Sequence, residues 1–183
     1  MTAEPYRVMT VCTGNICRSP MAEIVLRDRL EAAGLGDRVV VDSSGVSDEE
    51  HGNPVDPRAR RVLAAHGYPA GDGHRARQAT ASDLASRDLV LAMTAQHARR
   101  LRRLATERGA SGTERAEIRL YRSFDPDAPL VERDADEHLL DVDDPWYGDQ
   151  GGFETTLAEV EAAADGVVAH VRARLEGTKD VAS

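Results

Sequence analysis

At 183 residues, 41% of them hydrophobic and 30% charged, the chain is long enough for one cored domain and too apolar to be disordered. A net charge of −9 argues against a general nucleic-acid binder, and no apolar stretch reaches membrane-spanning length or follows a basic leader. The two cysteines, Cys12 and Cys17, sit in one short stretch, which is no extracellular disulfide framework. The expectation is a single domain over 1–177 with a frayed tail at 178–183. It is read as cytoplasmic, with export by a signal-free route left open, and as a monomer or weak dimer with no nucleic-acid or membrane partner.

The run Arg7 to Val11 is apolar without alternation, as in a central strand of a parallel sheet. It leads into Val11-Cys12-Thr13-Gly14-Asn15-Ile16-Cys17-Arg18-Ser19-Pro20, a tight loop and a helix start with Ser19 as N-cap and Pro20 at the first helical position. Ala22, Val25, Leu26, Leu30 and Ala33 recur at helical steps on one buried face, and Gly34 and Gly36 end the helix. Val39-Val40-Val41 is a second strand, and the polar stretch Ser43 to Val55 a loop. Asp56-Pro57 opens a helix through Ala59, Val62 and Leu63 that Gly67 stops, and Tyr68 to Gln78 is loop.

Thr80 to Asp83 forms a capping box before a short helix, and Leu89 to Met93 is the third strand. Thr94 caps a helix with Ala98, Leu101, Leu104 and Ala105 inward and Arg99, Arg100, Arg102 and Arg103 on a solvated face. Ile118 to Tyr121 is a fourth strand, Phe124 to Asp144 a long acidic loop, and Gly152 to Glu176 the last helix. Strands alternating with helices specify a parallel α/β sheet covered on both faces, with ligands at the carboxyl ends of the strands.

Cys12 lies at such an end. Loop amides pointing inward, joined by a helix dipole, make a seat for an oxyanion and favour Cys12 as a thiolate. Gly14 and Asn15 tolerate the left-handed backbone that such a loop needs. The Arg18 guanidinium presents a planar fork suited to two phosphate oxygens. A nucleophile, a cradle and a fork spaced Cys-x5-Arg fit attack on phosphorus. A proton donor for the leaving group is available among Asp141, Asp143, Asp144 and Asp149. Asp144 stands out because Pro145 fixes the backbone beside it and Trp146 and Tyr147 are placed to shield it from water.

Val11 to Pro20 resembles the phosphate-binding loop of the low-molecular-weight protein tyrosine phosphatases, and Asp144-Pro145-Trp146-Tyr147 resembles that family's general-acid segment. The resemblance extends from Arg7 to Leu175. It implies a flavodoxin-like sandwich around a four-stranded parallel sheet in the order 2-1-3-4, and hydrolysis of protein phosphotyrosine through a phosphocysteine. It implies Cys12 as nucleophile, Arg18 as phosphate clamp, Asp144 as acid and then base, and Thr13, Gly14, Asn15, Ile16 and Cys17 as the cradle. It also implies that Asn15 holds the loop in an unusual turn, that Ser19 supports the thiolate, that His74 steadies the loop from outside, and that Trp146 and Tyr147 wall the cleft. Two positions depart from the family: Trp146 stands where tyrosine is common, and Glu49 or Glu50 where an aromatic often forms a cleft wall. No cofactor is expected, and no cluster has metal-ligand spacing. Two other readings stand beside this one. An arsenate reductase of the same fold would have to borrow an external thiol, since Cys12 and Cys17 are the only cysteines. A non-catalytic phosphopeptide-binding module would have no use for Cys12, Arg18 and Asp144 together.

Overall fold

The computed structural model describes residues 4–107 and 116–180. In chain order these form β1 (Tyr6–Cys12), α1 (Arg18–Ala32), β2 (Val39–Gly45), α2 (Pro57–Ala65), α3 (Ala81–Ser86), β3 (Leu89–Ala92), α4 (Ala95–Glu107), β4 (Glu117–Leu120) and α5 (Gln150–Asp180), with 3-10 turns at Tyr121–Phe124, Asp134–Leu140 and Pro145–Tyr147. The strands make one parallel sheet in the order β2-β1-β3-β4, as expected. Neighbouring β1 and β3 send their chains to opposite faces, so a crevice opens at their carboxyl ends.

The sheet separates two apolar layers. On one side α1 and α5, the latter with Leu157 and Val160, pack over Val8, Leu89 and Leu91; on the other, α3 and α4, the latter with Leu101, pack over Met9, Val11 and Val90. β1 is apolar on both faces because both are covered. The first half of α1 is buried all round, from Arg18 to Leu26, so it has no single apolar stripe of the kind expected.

Among the boundaries that differ from the sequence reading, four stand out. Helix α1 starts at Arg18, with Cys17 at the N-cap and no side-chain cap. The Ser19 hydroxyl, expected to cap, is engaged by Cys12 and Asn15 instead. Pro20 costs no hydrogen bond, because its missing N–H is among those a first turn leaves unpaired. Strand β2 continues through Ser43 and Ser44 to Gly45, where a loop was expected. Its polar side chains are used internally: Ser43 donates to Glu23, Ser44 Oγ to Met9 Sδ at 3.3 Å, and Asp42 accepts from Arg77 and Arg87. The acidic loop contains the turn Asp134–Leu140, where Glu137 pairs with Arg102 of the otherwise basic α4 face at 2.8 Å. Helix α5 runs past Gly177 to Asp180, and 181–183, the end of the expected tail, lie outside the described residues.

Candidate active site

The stretch between β1 and α1 curls into a loop whose carbonyls are held from outside. Val46 N donates to Cys12 O at 2.9 Å, Ser47 N to Thr13 O at 3.1 Å and Asp56 N to Ile16 O at 2.8 Å. His74 Nε2 donates to Asn15 O at 2.7 Å. By contrast, the amides of Gly14, Asn15, Ile16 and Cys17 meet no acceptor among the described residues. Carbonyls outward and unpaired amides inward make a concave anion seat at the start of α1, whose own first turn carries no side-chain cap.

Two residues make this curl possible. Asn15 has φ of 61°, and its buried side chain is fully used: Nδ2 donates to Ser19 Oγ and Ser43 Oγ, both at 2.9 Å, and Oδ1 accepts from Arg77 N at 3.0 Å. Gly45 lets the loop lie against the end of β2, where a Cβ would collide with Thr13 O.

Cys12 and Cys17 are both buried and free of disulfides. Cys12 Sγ lies 3.0 Å from Ser19 Oγ. Because that oxygen already accepts from Asn15, its proton is available to the sulfur. Burial, then the charges of Asp56 and Cys12, push the Cys17 thiol far above the usual thiol range.

Arg18 is 4% exposed. Nη1 donates to Val142 O at 3.0 Å, and Nη2 to Asp144 Oδ2 at 3.1 Å and Thr13 Oγ1 at 3.4 Å, while the buried Nε has no partner. A sealed, unpaired guanidinium N–H beside unpaired loop amides fits an oxyanion as the missing acceptor.

Asp144 caps the turn Pro145–Tyr147, with Oδ1 accepting from Trp146 N at 3.0 Å. The expected shielding by aromatic rings is not found: the Asp144 side chain is 41% exposed, and Trp146 and Tyr147 are 42% and 92% exposed. Arg58 explains part of this, since it lies 5.3 Å over the Trp146 ring, donates to Trp146 O at 3.1 Å and pairs with Asp56. Glu49 and Glu50 form the opposite wall, in one cleft with Cys12, Gly14, Arg18, Asp144, Trp146 and Tyr147.

The residues assigned to the site from the sequence therefore converge on the loop or its cleft, with Ser19 and His74 behind it. Asp141, Asp143 and Asp149, the other acid candidates, do not line the cleft, and Asp141 Oδ1 accepts from Ala95 N at 2.7 Å. Three partners were missed. Glu23 and Ser43 continue the Asn15 network, and His97 Nε2 is hydrogen-bonded to Thr13 Oγ1 at 2.9 Å. The signal for His97 was its place in the first turn after Thr94, at the carboxyl end of β3 beside the crevice. Among the described residues no group of His, Cys, Asp or Glu could hold a metal ion, and no helix is long and apolar enough to cross a membrane.

Residues 7–177 match the family model described as low molecular weight phosphotyrosine protein phosphatase. A low molecular weight protein-tyrosine-phosphatase of Streptomyces coelicolor is 51% identical over 173 residues, covering 94% of this chain and 97% of the relative. Low molecular weight protein-tyrosine phosphatase A of Mycobacterium tuberculosis is 44% identical over 173 residues, covering 94% and 96%. The crystal structure of YfkJ from Bacillus subtilis superposes with a TM-score of 0.79 at 30% identity, covering 95% of this chain and 99% of that one. With both distant motifs in place on the matching fold, the chain belongs to the low-molecular-weight protein tyrosine phosphatase family.

Proposed function

We propose that the protein hydrolyses phosphotyrosine monoesters of proteins through a phosphocysteine on Cys12. The observation that carries this is the unpaired set of donors, Arg18 Nε and the loop amides, gathered around a buried cysteine. The Cys12 thiolate, stabilised by the Ser19 hydroxyl, attacks phosphorus in line, and the bond to the tyrosyl oxygen breaks. Arg18 and the amides of residues 13–17 hold the three equatorial oxygens, where transition-state charge is spread. Asp144 gives its proton to the departing phenoxide. Water then attacks phosphorus, Asp144 takes its proton, and the P–S bond breaks to release phosphate and the thiolate.

A deep seat favours the long phenyl phosphate over phosphoserine. Trp146, Tyr147, Glu49 and Glu50 are the residues that meet the substrate beyond the phosphate. His74 and Asn15 hold the loop curl. The reading needs no metal or cofactor, and it takes the chain as one cytoplasmic domain acting as a monomer or weak dimer. Turnover of para-nitrophenyl phosphate tests it: wild type turns over, Cys12→Ser and Arg18→Ala do not, and rapid quench of wild type traps a phosphorylated peptide containing Cys12. A Cys12→Ser variant with near-wild-type turnover would sink it.

A further inference from the structure

Behind the phosphate loop lies a histidine that the mechanism above does not use. His97 sits in the first turn of α4, its N–H bound to Thr94 Oγ1 at 3.2 Å. It is 3% exposed, and Nε2 is 2.9 Å from Thr13 Oγ1. Either ring tautomer can make that bond, so the Thr13 hydroxyl is fixed in both. Thr13 Oγ1 in turn accepts from Arg18 Nη2 at 3.4 Å, and Val142 O holds the other arm of the guanidinium at 3.0 Å.

The second ring nitrogen, Nδ1, is buried with no partner. An apolar side chain of the same shape would avoid that unmet nitrogen, so packing alone is poorly served by histidine here. The ring also brings no charge that would compete with an anion. Burial first, and Arg18 second, lower its pKa from 6.5 to about 3, so it stays neutral at working pH.

We propose that His97 is a positioning residue of the phosphate site, setting the plane of the Arg18 guanidinium through the Thr13 hydroxyl. Asp144 Oδ2 also accepts from Nη2 at 3.1 Å, but that 41% exposed carboxylate must give way to an incoming phosphate. Thr13 and Val142 are then the tethers that fix the plane with the anion bound. With one of these lost, the guanidinium can turn about the other and Nε no longer points reliably at the anion seat. The inference rests on the reading of Arg18 as phosphate clamp, so Arg18→Ala accompanies the test.

The measurement is the inhibition constant for inorganic phosphate and for orthovanadate, read beside the melting temperature. In His97→Phe and in Thr13→Val both constants rise about tenfold, the scale of one lost hydrogen bond to a charged group. The melting temperature of His97→Phe holds or rises, because the unmet nitrogen is gone. The double variant binds no worse than Thr13→Val alone, and His97→Gln, which keeps a polar end, recovers part of the loss. Constants within about twofold of wild type in Thr13→Val, or the full His97→Phe cost recurring on top of Thr13→Val, would overturn the proposal. If His97→Phe does not fold, Thr13→Val and His97→Gln decide. Unchanged anion binding in Arg18→Ala would overturn the clamp reading itself, whereas loss there with wild-type binding in His97→Phe would remove only the role of His97.

Discussion

Asp144 Oδ2 lies 3.1 Å from Arg18 Nη2. The carboxyl assigned to protonate the leaving group is thus hydrogen-bonded to the guanidinium assigned to hold the phosphate. An incoming phosphate must compete with that carboxylate, and the two anions cannot share Nη2 without repulsion. The Asp144 side chain is 41% exposed, so the pair is screened and worth about 0.2–1 kcal/mol. Asp144→Asn is therefore expected to tighten the inhibition constant for inorganic phosphate by up to about fivefold while slowing turnover of esters with poor leaving groups. Good leaving groups such as para-nitrophenol lose less. Asp144→Asn with unchanged phosphate affinity and unchanged rates on a poor leaving group would show that the carboxyl does neither job.

His97 gives the fold an acid-labile point. Its folded pKa is lowered from 6.5 to about 3 by burial and by Arg18. Between those values the unfolded chain binds a proton that the folded chain refuses, so stability rises with pH through this window. The contribution is fully present above about pH 6.5 and is lost as pH falls toward 3, at up to about 1.4 kcal/mol per pH unit. Melting curves of wild type and His97→Phe between pH 4 and 8 test this. The wild type should fall more steeply on acidification, and parallel curves would mean that His97 accepts its proton in the folded state.

The two loop cysteines differ in chemistry. Both line the cleft, but burial and the neighbouring charges hold the Cys17 thiol protonated. Limiting iodoacetate at neutral pH should label Cys12 and spare Cys17, as peptide mass spectrometry would show. Peroxide should likewise oxidise Cys12 first, to a sulfenic acid. That step removes the Cys12 charge, which after burial and Asp56 helps keep Cys17 protonated. The Cys17 sulfur then attacks, its proton leaves with the sulfenic hydroxyl as water, and a disulfide forms that an added thiol reverses. Wild type is expected to recover more activity on thiol treatment than Cys17→Ala; equal recovery would leave Cys17 as a packing residue.

The sequence carried the loop so well because its chemistry is local: Cys12, Gly14, Asn15 and Arg18 fall within one turn of chain, and their types alone describe an anion seat. Asp144 is remote in sequence, but Pro145 and the two aromatics mark it. What stayed hidden depends on the sheet. Ser43 looked like loop because it is polar, yet it extends β2 and serves a buried network with Asn15 and Glu23. His97 meets Thr13 only because β3 lies beside β1, a pairing that no short-range pattern encodes. The exposure of Asp144 was also unreadable, since it depends in part on Arg58, remote in sequence, lying over the Trp146 ring.

The Glu49 and Glu50 wall of the cleft is expected to set substrate preference. Glu49 and Glu50 both face the cleft, and no aromatic stands with them. They are not equivalent. Glu50 lies over Gly14, and its carboxylate accepts from Asn53 Nδ2 at 2.6 Å. The Glu49 carboxylate is exposed and has no partner among the described residues. A phosphotyrosine ring therefore finds stacking partners only on the Trp146 and Tyr147 side, forgoing about 0.5–1.5 kcal/mol for a second aromatic wall. Glu49→Trp should supply that wall without breaking a hydrogen bond, lowering KM for aryl phosphates by about threefold to tenfold. Glu50→Trp should gain less, because it strips Asn53 of its acceptor. The same carboxylates repel acidic residues flanking a phosphotyrosine, most strongly where screening is weak. Peptides with basic flanks are expected to show higher kcat/KM than acidic-flanked counterparts at low salt, with the gap narrowing at physiological ionic strength and shrinking in Glu49→Gln. Phosphotyrosine should remain preferred over phosphoserine throughout, because that choice rests on the depth of the loop. A clear preference for acidic flanks at low salt would mean that substrates approach from the side of Arg58, away from the glutamates.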